Sequence, residues 1–351
     1  MIIWLASYPK NGNTWLRSLI SAYYYTKDGI FLGDNHLKNI QQFPVKKYLE
    51  SFDYDLSIPG DTSRLWVLAQ EKINEDRKIK FFKTHNALVK LGNYDFTNRA
   101  NSLGGIYIVR DPRNVLDSMS RHFQIDHDKA LEVMQDKKNF TYDFKKKKDY
   151  SDYQFISSWE LNYQSWKNNN LLPIKFLKYE DLLSETFFVF KEIIEFINKI
   201  TNNKSGFSRE KAKNAVNTTS FENLKKIEES NGFSESIISR EEKKKIPFFH
   251  LGPKNNWQKN FDKEFIDKLT NNKSGFNREK AKNAVKTTSF ENLKRIEETN
   301  GFSESIISRE EKKKIPFFHL GPNNNWQKNF DNEFIKKLNN IFGKNLEELN
   351  Y

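Results

Sequence analysis

Three groups of side chains in the first third of this chain have types and spacings suited to holding anions and moving a proton. Lys10 stands in Tyr8-Pro9-Lys10-Asn11-Gly12-Asn13-Thr14-Trp15-Leu16-Arg17, directly behind the apolar run Ile2-Ile3-Trp4-Leu5-Ala6. Arg110 and Ser118 lie eight residues apart, behind the apolar run Gly104–Val109. Between them, Lys80-Phe81-Phe82-Lys83-Thr84-His85 puts a cation and an imidazole at alternate positions, and so on one face of a strand. Lysine supplies a mobile point charge, and a guanidinium beside a hydroxyl can grip a phosphate.

The elements that must carry these groups follow from local pattern. Residues 2–17 read as a strand, a tight polar turn and a helix. The first turn of a helix presents unpaired N–H groups and the positive end of its dipole, which suits a phosphate. Residues 104–118 read as a buried strand followed by a helix, with Asp111 as cap and Pro112 in its first turn. Arg110 would then project from the carboxyl end of the strand, where open α/β sheets bind ligands, and Ser118 would lie about two helical turns along. The nucleotide-hydrolase loop carries its lysine at the helix start, before Ser or Thr. Here the lysine comes first and no GKS or GKT follows, so the pattern predicts a nucleotide end held in another manner.

These two segments, in this order and each on its own strand–helix junction, resemble the sulfotransferases that use 3′-phosphoadenylyl sulfate. Tyr8–Arg17 resembles that family's 5′-phosphosulfate loop, and Arg110–Ser118 its 3′-phosphate element. The resemblance implies that Lys10, Asn11, Gly12, Asn13 and Thr14 hold the 5′ group, that Arg110 and Ser118 hold the 3′-phosphate, and that Trp15 stacks on the adenine. The segment Lys83-Thr84-His85 matches the one that supplies a lysine beside the sulfonate and a catalytic histidine. Histidine has a suitable pKa for the general base, and Lys10 and Lys83 would stabilise the charge that develops on sulfonate and leaving oxygen. Ile174–Leu182 resembles the strand ending in Y-E-D-L, which places Tyr179 near the adenine, and Thr219-Ser220-Phe221-Glu222-Asn223-Leu224 resembles the T-S-F helix, which adds Ser220 and Phe221.

The chain departs from the family in its late phosphate loop, commonly R-K-G with tryptophan five residues on. Here it reads His250-Leu251-Gly252, with Trp257 at the expected distance. Gly252 can still bring backbone near a phosphate. The two lost charges predict weaker donor binding, or completion by Lys243, Lys244, Lys245 or Lys254.

Residues 201–269 recur as 270–338, with seven differences among 69 positions, at 208, 217, 226, 230, 254, 263 and 267. Two copies fall short of the three or more that a solenoid needs. Thr219-Ser220-Phe221 thus has a twin in Thr288-Ser289-Phe290, and His250-Leu251-Gly252 one in His319-Leu320-Gly321. One donor pocket can use only one of each. Tyr179 is 41 residues from Ser220 and 110 from Ser289, which favours copy one. Copy two would pack outside, or dock on another subunit by domain swapping to form a homodimer.

At 351 residues and 37% hydrophobic content, one sizeable α/β core is expected. The absence of cysteine excludes disulfides, thiolate metal sites and cysteine nucleophiles, and fits a reducing cytoplasm. The N-terminal apolar run is too short for a signal peptide or membrane span. The net charge of +12 permits a nucleic-acid reading, but no helix-turn-helix, zinc finger or RNA-binding signature accompanies it, and a positive field equally favours a polyanionic donor. Residues 120–152 mix acids, bases and aromatics without period and read as a loop or lid. Phe155, Trp159, Tyr163 and Trp166 read as one inward helix face.

The expectation is an α/β fold: a P-loop-type parallel sheet of about five strands, helices on both faces, and a duplicated α-rich C-terminal segment. The domains would be a sulfotransferase domain 1–269, a second repeat copy 270–338 and a tail 339–351. The activity implied is a cytoplasmic sulfotransferase that moves a sulfonate in line from 3′-phosphoadenylyl sulfate to a hydroxyl or amine, without a metal. Its acceptor would be a small molecule, glycan or lipid. Two other readings stay open: a non-catalytic 3′-phosphoadenosine nucleotide-binding protein, favoured by His250-Leu251, and a P-loop kinase-like enzyme, which should need Mg²⁺.

Overall fold

The computed structural model describes residues 1–142, 149–239, 244–250, 252, 255, 257–261, 265–266, 290–300, 306–307, 314–315 and 330–348. Strand β1 (Ile2–Ala6) is buried along its whole length. Ile3 and Leu5 face one hydrophobic cluster, and Ile2, Trp4 and Ala6 face another. That alternation is what a strand covered on both faces requires.

The chain continues through α1 (Asn13–Tyr25), α2 (Asp34–Leu37), β2 (Gln41–Gln42), α3 (Trp66–Ile73) and β3 (Lys80–Thr84). A small hairpin, β4 (Lys90–Leu91) and β5 (Tyr94–Asp95), leads to β6 (Ser102–Val109) and α4 (Pro112–Phe123). Next come α5 (His127–Gln135), a second hairpin of β7 (Phe140–Thr141) and β8 (Gln154–Phe155), α6 (Trp159–Lys167) and β9 (Ile174–Lys178). The helices α7 (Tyr179–Ser184), α8 (Thr186–Thr201), α9 (Arg209–Thr218) and α10 (Phe221–Asn231) follow. The paired strands β10 (Ile237–Ile238) and β11 (Lys245–Ile246), then α11 (Trp257–Asn260), come last in this unit.

Five strands form one parallel sheet in the order β2-β3-β1-β6-β9. Trp4 of β1 sits opposite Phe82 of β3 and Gly105 of β6. Side chains of α1, α8 and α9 pack on one face, and those of α3 and α6 on the other. The glycine pair in β6 is a packing requirement, since a β-carbon on Gly104 would lie 2.7 Å from the Pro173 carbonyl oxygen. The sheet and its two helical layers are those expected, and Asp111 caps α4 by accepting from the Arg113 N–H, with Pro112 at the helix start.

Two local expectations fail. Residues 120–152 are not one irregular loop, because Asp126 caps α5, whose Ala130, Leu131 and Met134 are buried. The short apolar triplet was masked by its charged neighbours. Phe155 belongs to β8, and the helix carrying Trp159, Tyr163 and Trp166 starts only after Ser158, which caps it. The stretch 181–200 is two helices broken at Glu185, whose φ of −128° and ψ of 45° are not helical.

The chain divides into two compact units, Met1–Asn260 and Phe261–Tyr351. In the second, a helix spans Phe290–Asn300, Ile306–Ile307 pairs antiparallel with Lys314–Ile315, and a helix spans Asn332–Glu348. The first three of these lie 69 positions after α10, β10 and β11, so the described parts of both copies take the same local structure.

Candidate active site

The carboxyl ends of β1, β3, β6 and β9 open into a cavity of about 1190 Å³ within the first unit. Lys10, Gly12, Asn13, Thr14, Trp15, Lys83, His85, Arg110, Ser118, Tyr179, Ser220, Phe221 and Gly252 all line it. Residues spread over 243 positions thus meet because parallel strands deliver their following loops to one edge.

Gly12 precedes α1 with a φ of +98°, and a β-carbon there would lie 2.5 Å from the Tyr179 ring. Both the backbone conformation and the contact require glycine. Asn13 pins the turn from below by donating to the Leu5 carbonyl at 2.9 Å and the Ser7 hydroxyl at 3.2 Å. The Asn11 side chain is turned away from the cavity. It is fully buried, its amide points to the Ile108 carbonyl, and the residue's own N–H donates to the Tyr8 carbonyl. It shapes the loop and does not face the cavity.

Two side chains converge on the Tyr179 ring in the cavity wall. Trp15 meets it edge-on with ring centroids 5.6 Å apart, and the Arg110 guanidinium lies 4.3 Å above its ring. Arg110 Nε and Trp15 Nε1 are buried without a hydrogen-bond partner. Such orphaned donors carry a desolvation penalty unless something else accepts from them.

His85 is held by three backbone-directed contacts. Its N–H donates to Gln154 Oε1, its carbonyl accepts from Asn162 Nδ2, and its Nδ1 lies 2.8 Å from the Ser7 carbonyl oxygen. A carbonyl can only accept, so Nδ1 carries the proton and Nε2 is the basic nitrogen. Burial, then the Lys83 charge, lowers its pKa to about 3, so the ring is neutral at neutral pH and its Nε2 carries no proton.

The two lysines are perturbed as well. Burial brings Lys10 down to about 7 against the opposing pull of Glu235, with Lys83, Arg110 and Arg121 adding repulsion. Lys83 is lowered by the same cause. Lys10 Nζ meanwhile sits 4.1 Å above the Phe248 ring.

The late loop of copy one lines the cavity through His250 and Gly252, and its twin, 319–321, lies outside the described residues. The frame of the copy-one loop is Glu228 of α10, which accepts from the N–H groups of Phe248 at 2.7 Å and Phe249 at 2.9 Å. The Trp257 N–H donates to Asn114 Oδ1 of α4, and Arg113 stacks on the Trp257 ring at 4.2 Å. Of the lysines expected to replace the missing charges, Lys243 and Lys254 lie outside the described residues. Lys244 and Lys245 are exposed and do not line the cavity. Burial, then the charges of Arg121 and Lys225, depress the pKa of His250 against the opposing pull of Asp117.

Sequence reasoning missed Glu235, which accepts from Thr14 Oγ1 at 2.6 Å and Arg17 Nη1 at 2.7 Å and lies 3.7 Å from Lys83 Nζ. Burial would raise its carboxyl, but Lys83, Arg17, the Thr14 hydroxyl and Lys10 hold it far below the usual carboxylate range. The one available signal was Arg17, a charge on the buried side of α1 that needed a partner.

The family model described as a sulfotransferase domain matches residues 2–274. No curated protein matches the chain significantly. Among solved structures, a retinol dehydratase in complex with androsterone and the inactive cofactor PAP is 16% identical, covering 76% of this chain and 78% of its own, with a TM-score of 0.45. A mouse sulfotransferase complexed with PAP is 19% identical, covering 82% and 89%, with a TM-score of 0.46.

Proposed function

We propose that this chain, which belongs to the sulfotransferase domain family, moves a sulfonate from 3′-phosphoadenylyl sulfate to a hydroxyl or amine acceptor. The start of α1, with Lys10, Gly12, Asn13 and Thr14, would hold the 5′ end. Arg110 and Ser118 would take the 3′-phosphate, while Trp15, Tyr179, Ser220 and Phe221 border the adenine and Gly252 closes the wall. The orphaned Arg110 Nε and Trp15 Nε1 fit such a ligand, since a nucleotide supplies the acceptors they lack.

In the transfer, the acceptor oxygen or nitrogen attacks sulfur as the bond from sulfur to the phosphate oxygen breaks. His85 Nε2 takes the acceptor's proton, and Lys83 and Lys10 offset the charge that gathers on the sulfonate and the leaving oxygen. The observation that carries this reading is the Ser7 carbonyl on His85 Nδ1, which fixes a basic nitrogen in the cavity that also holds Lys10 and Lys83. Gln42, Val45, Phe123, Thr141 and Gln154 line the same cavity and would receive a small-molecule, glycan or lipid acceptor. Among the described residues no helix is long and apolar enough to cross a membrane. We place the enzyme in the cytoplasm on its lack of cysteine.

A second reading, a nucleotide-binding protein without turnover, is favoured by His250, a group left neutral where the family has arginine. Thermal shift with adenosine 3′,5′-bisphosphate against AMP and ATP, followed by sulfonate transfer to a generic phenol, tests both. Preference for the bisphosphate with turnover supports the enzyme. The same preference without turnover supports the second reading, and no preference defeats both.

A further inference from the structure

The 5′ end of the site described above already contains an anion supplied by the chain itself. Thr14 and Lys83, both assigned to the donor, are engaged by the Glu235 carboxylate: Oε2 accepts from the Thr14 hydroxyl at 2.6 Å, and Oε1 lies 3.7 Å from Lys83 Nζ. Arg17, buried behind them in α1, holds Oε1 at 2.7 Å.

The segment that delivers this carboxylate is well anchored. Phe233 is buried in the core, the Ser234 N–H donates to Asp34 Oδ2 at 2.6 Å, and the Ser236 hydroxyl is bonded to Glu228. The main chain around Glu235 is therefore tied on both sides, and what can exchange is its side chain. The buried Arg17 and the largely buried Lys83 and Lys10 would be expensive without a counter-charge, and Glu235 supplies one. An incoming phosphosulfate needs the same hydroxyl and ammonium and is repelled by the same carboxylate.

We infer that Glu235 is a resident counter-ion of the 5′ subsite, a carboxylate that a donor must displace from Thr14 and Lys83 before it can be seated. The inference rests on the donor reading for the identity of the ligand, but not for the anion cradle itself. It makes Glu235 a specificity residue. Ligands with two linked anionic groups at this end can replace both of its contacts, whereas a single weak anion gains little over the carboxylate already there.

The test is binding of inorganic pyrophosphate and of adenosine 3′,5′-bisphosphate to wild type and to Glu235→Gln by titration calorimetry. Glutamine keeps one acceptor oxygen, for Arg17 or for Thr14, and removes the charge. Pyrophosphate should bind the variant about tenfold tighter or more at low salt, with the gain shrinking as salt rises. Equal or weaker binding would overturn the inference and make Glu235 a fixed tether for Arg17. If the glutamine variant does not fold, Glu235→Asp, which draws the charge back by one methylene, must also tighten pyrophosphate, and its failure to do so overturns the inference. The two readings separate cleanly. A pyrophosphate gain without any bisphosphate binding sinks the donor reading and leaves Glu235 as inferred. Good bisphosphate binding that is lost in Glu235→Gln leaves the donor reading and sinks this one.

Discussion

The ring of Phe221 occupies the space that a β-carbon on Gly252 would need: the two would be 2.2 Å apart. Gly252 also has a φ of +51°, which side chains other than glycine rarely adopt. The T-S-F helix and the late loop of copy one are thereby locked into one wall of the cavity.

Gly252→Ala should therefore damage the site by forcing the Phe221 ring aside, at a cost of about 1–3 kcal/mol for the overpacking. The matched Gly321→Ala should leave donor binding unchanged, because copy-one residues line the cavity. Calorimetry with adenosine 3′,5′-bisphosphate on both variants checks this. The reverse pattern would assign the wall to copy two.

His85→Asn should leave bisphosphate affinity nearly intact while turnover falls by about 10²–10⁴-fold, the usual range for a positioned base. Because burial has lowered the imidazole pKa to about 3, the base is already free of its proton above that value. The wild-type rate should show no histidine-like acid limb near pH 6 to 7. A clear limb there would mean that another group, or a solvated His85, takes the proton.

Lys10 should make donor binding depend on pH around neutrality. With its pKa lowered to about 7, the free protein loses this charge as pH rises through that value. An anionic ligand favours the charged form and so draws a proton on binding. Bisphosphate affinity should fall from pH 6 to 9, and calorimetry at pH 8 in buffers of different ionisation enthalpy should show net proton uptake. Lys10→Met should remove the Lys10 share of that uptake, and an unchanged uptake would exclude the assignment.

Arg110→Ala should weaken the bisphosphate by about 1.5–3 kcal/mol, the range for a charge-assisted contact, with AMP much less affected. The competing role for Arg110 is to cover Tyr179 at 4.3 Å, and equal losses for both ligands would favour that role.

Much of this molecule was determined by sequence alone, because the signals are local. An unbroken apolar run makes β1, Asp111 and Pro112 start α4, and the alternation in 80–85 brings Lys83 of β3 and His85, just past its end, into one cavity. The paired glycines of β6 report a strand with no room for side chains. The Asp126-capped α5 was less legible, since three buried residues among charges make a weak period. Glu235 was legible only as an unnamed partner for Arg17. It lies 221 positions from Thr14 and 218 from Arg17, and nothing in its neighbourhood says which cations it will meet. The choice between repeat copies shows the same division most plainly. Their near-identical sequences specify the same helix and the same strand pair in each, because secondary structure answers to local pattern. Which copy walls the cavity depends on long-range contacts, such as Glu235 with Thr14 and Arg17 and Trp257 with Asn114, and among the described residues it is Ser220, Phe221 and Gly252 that line it.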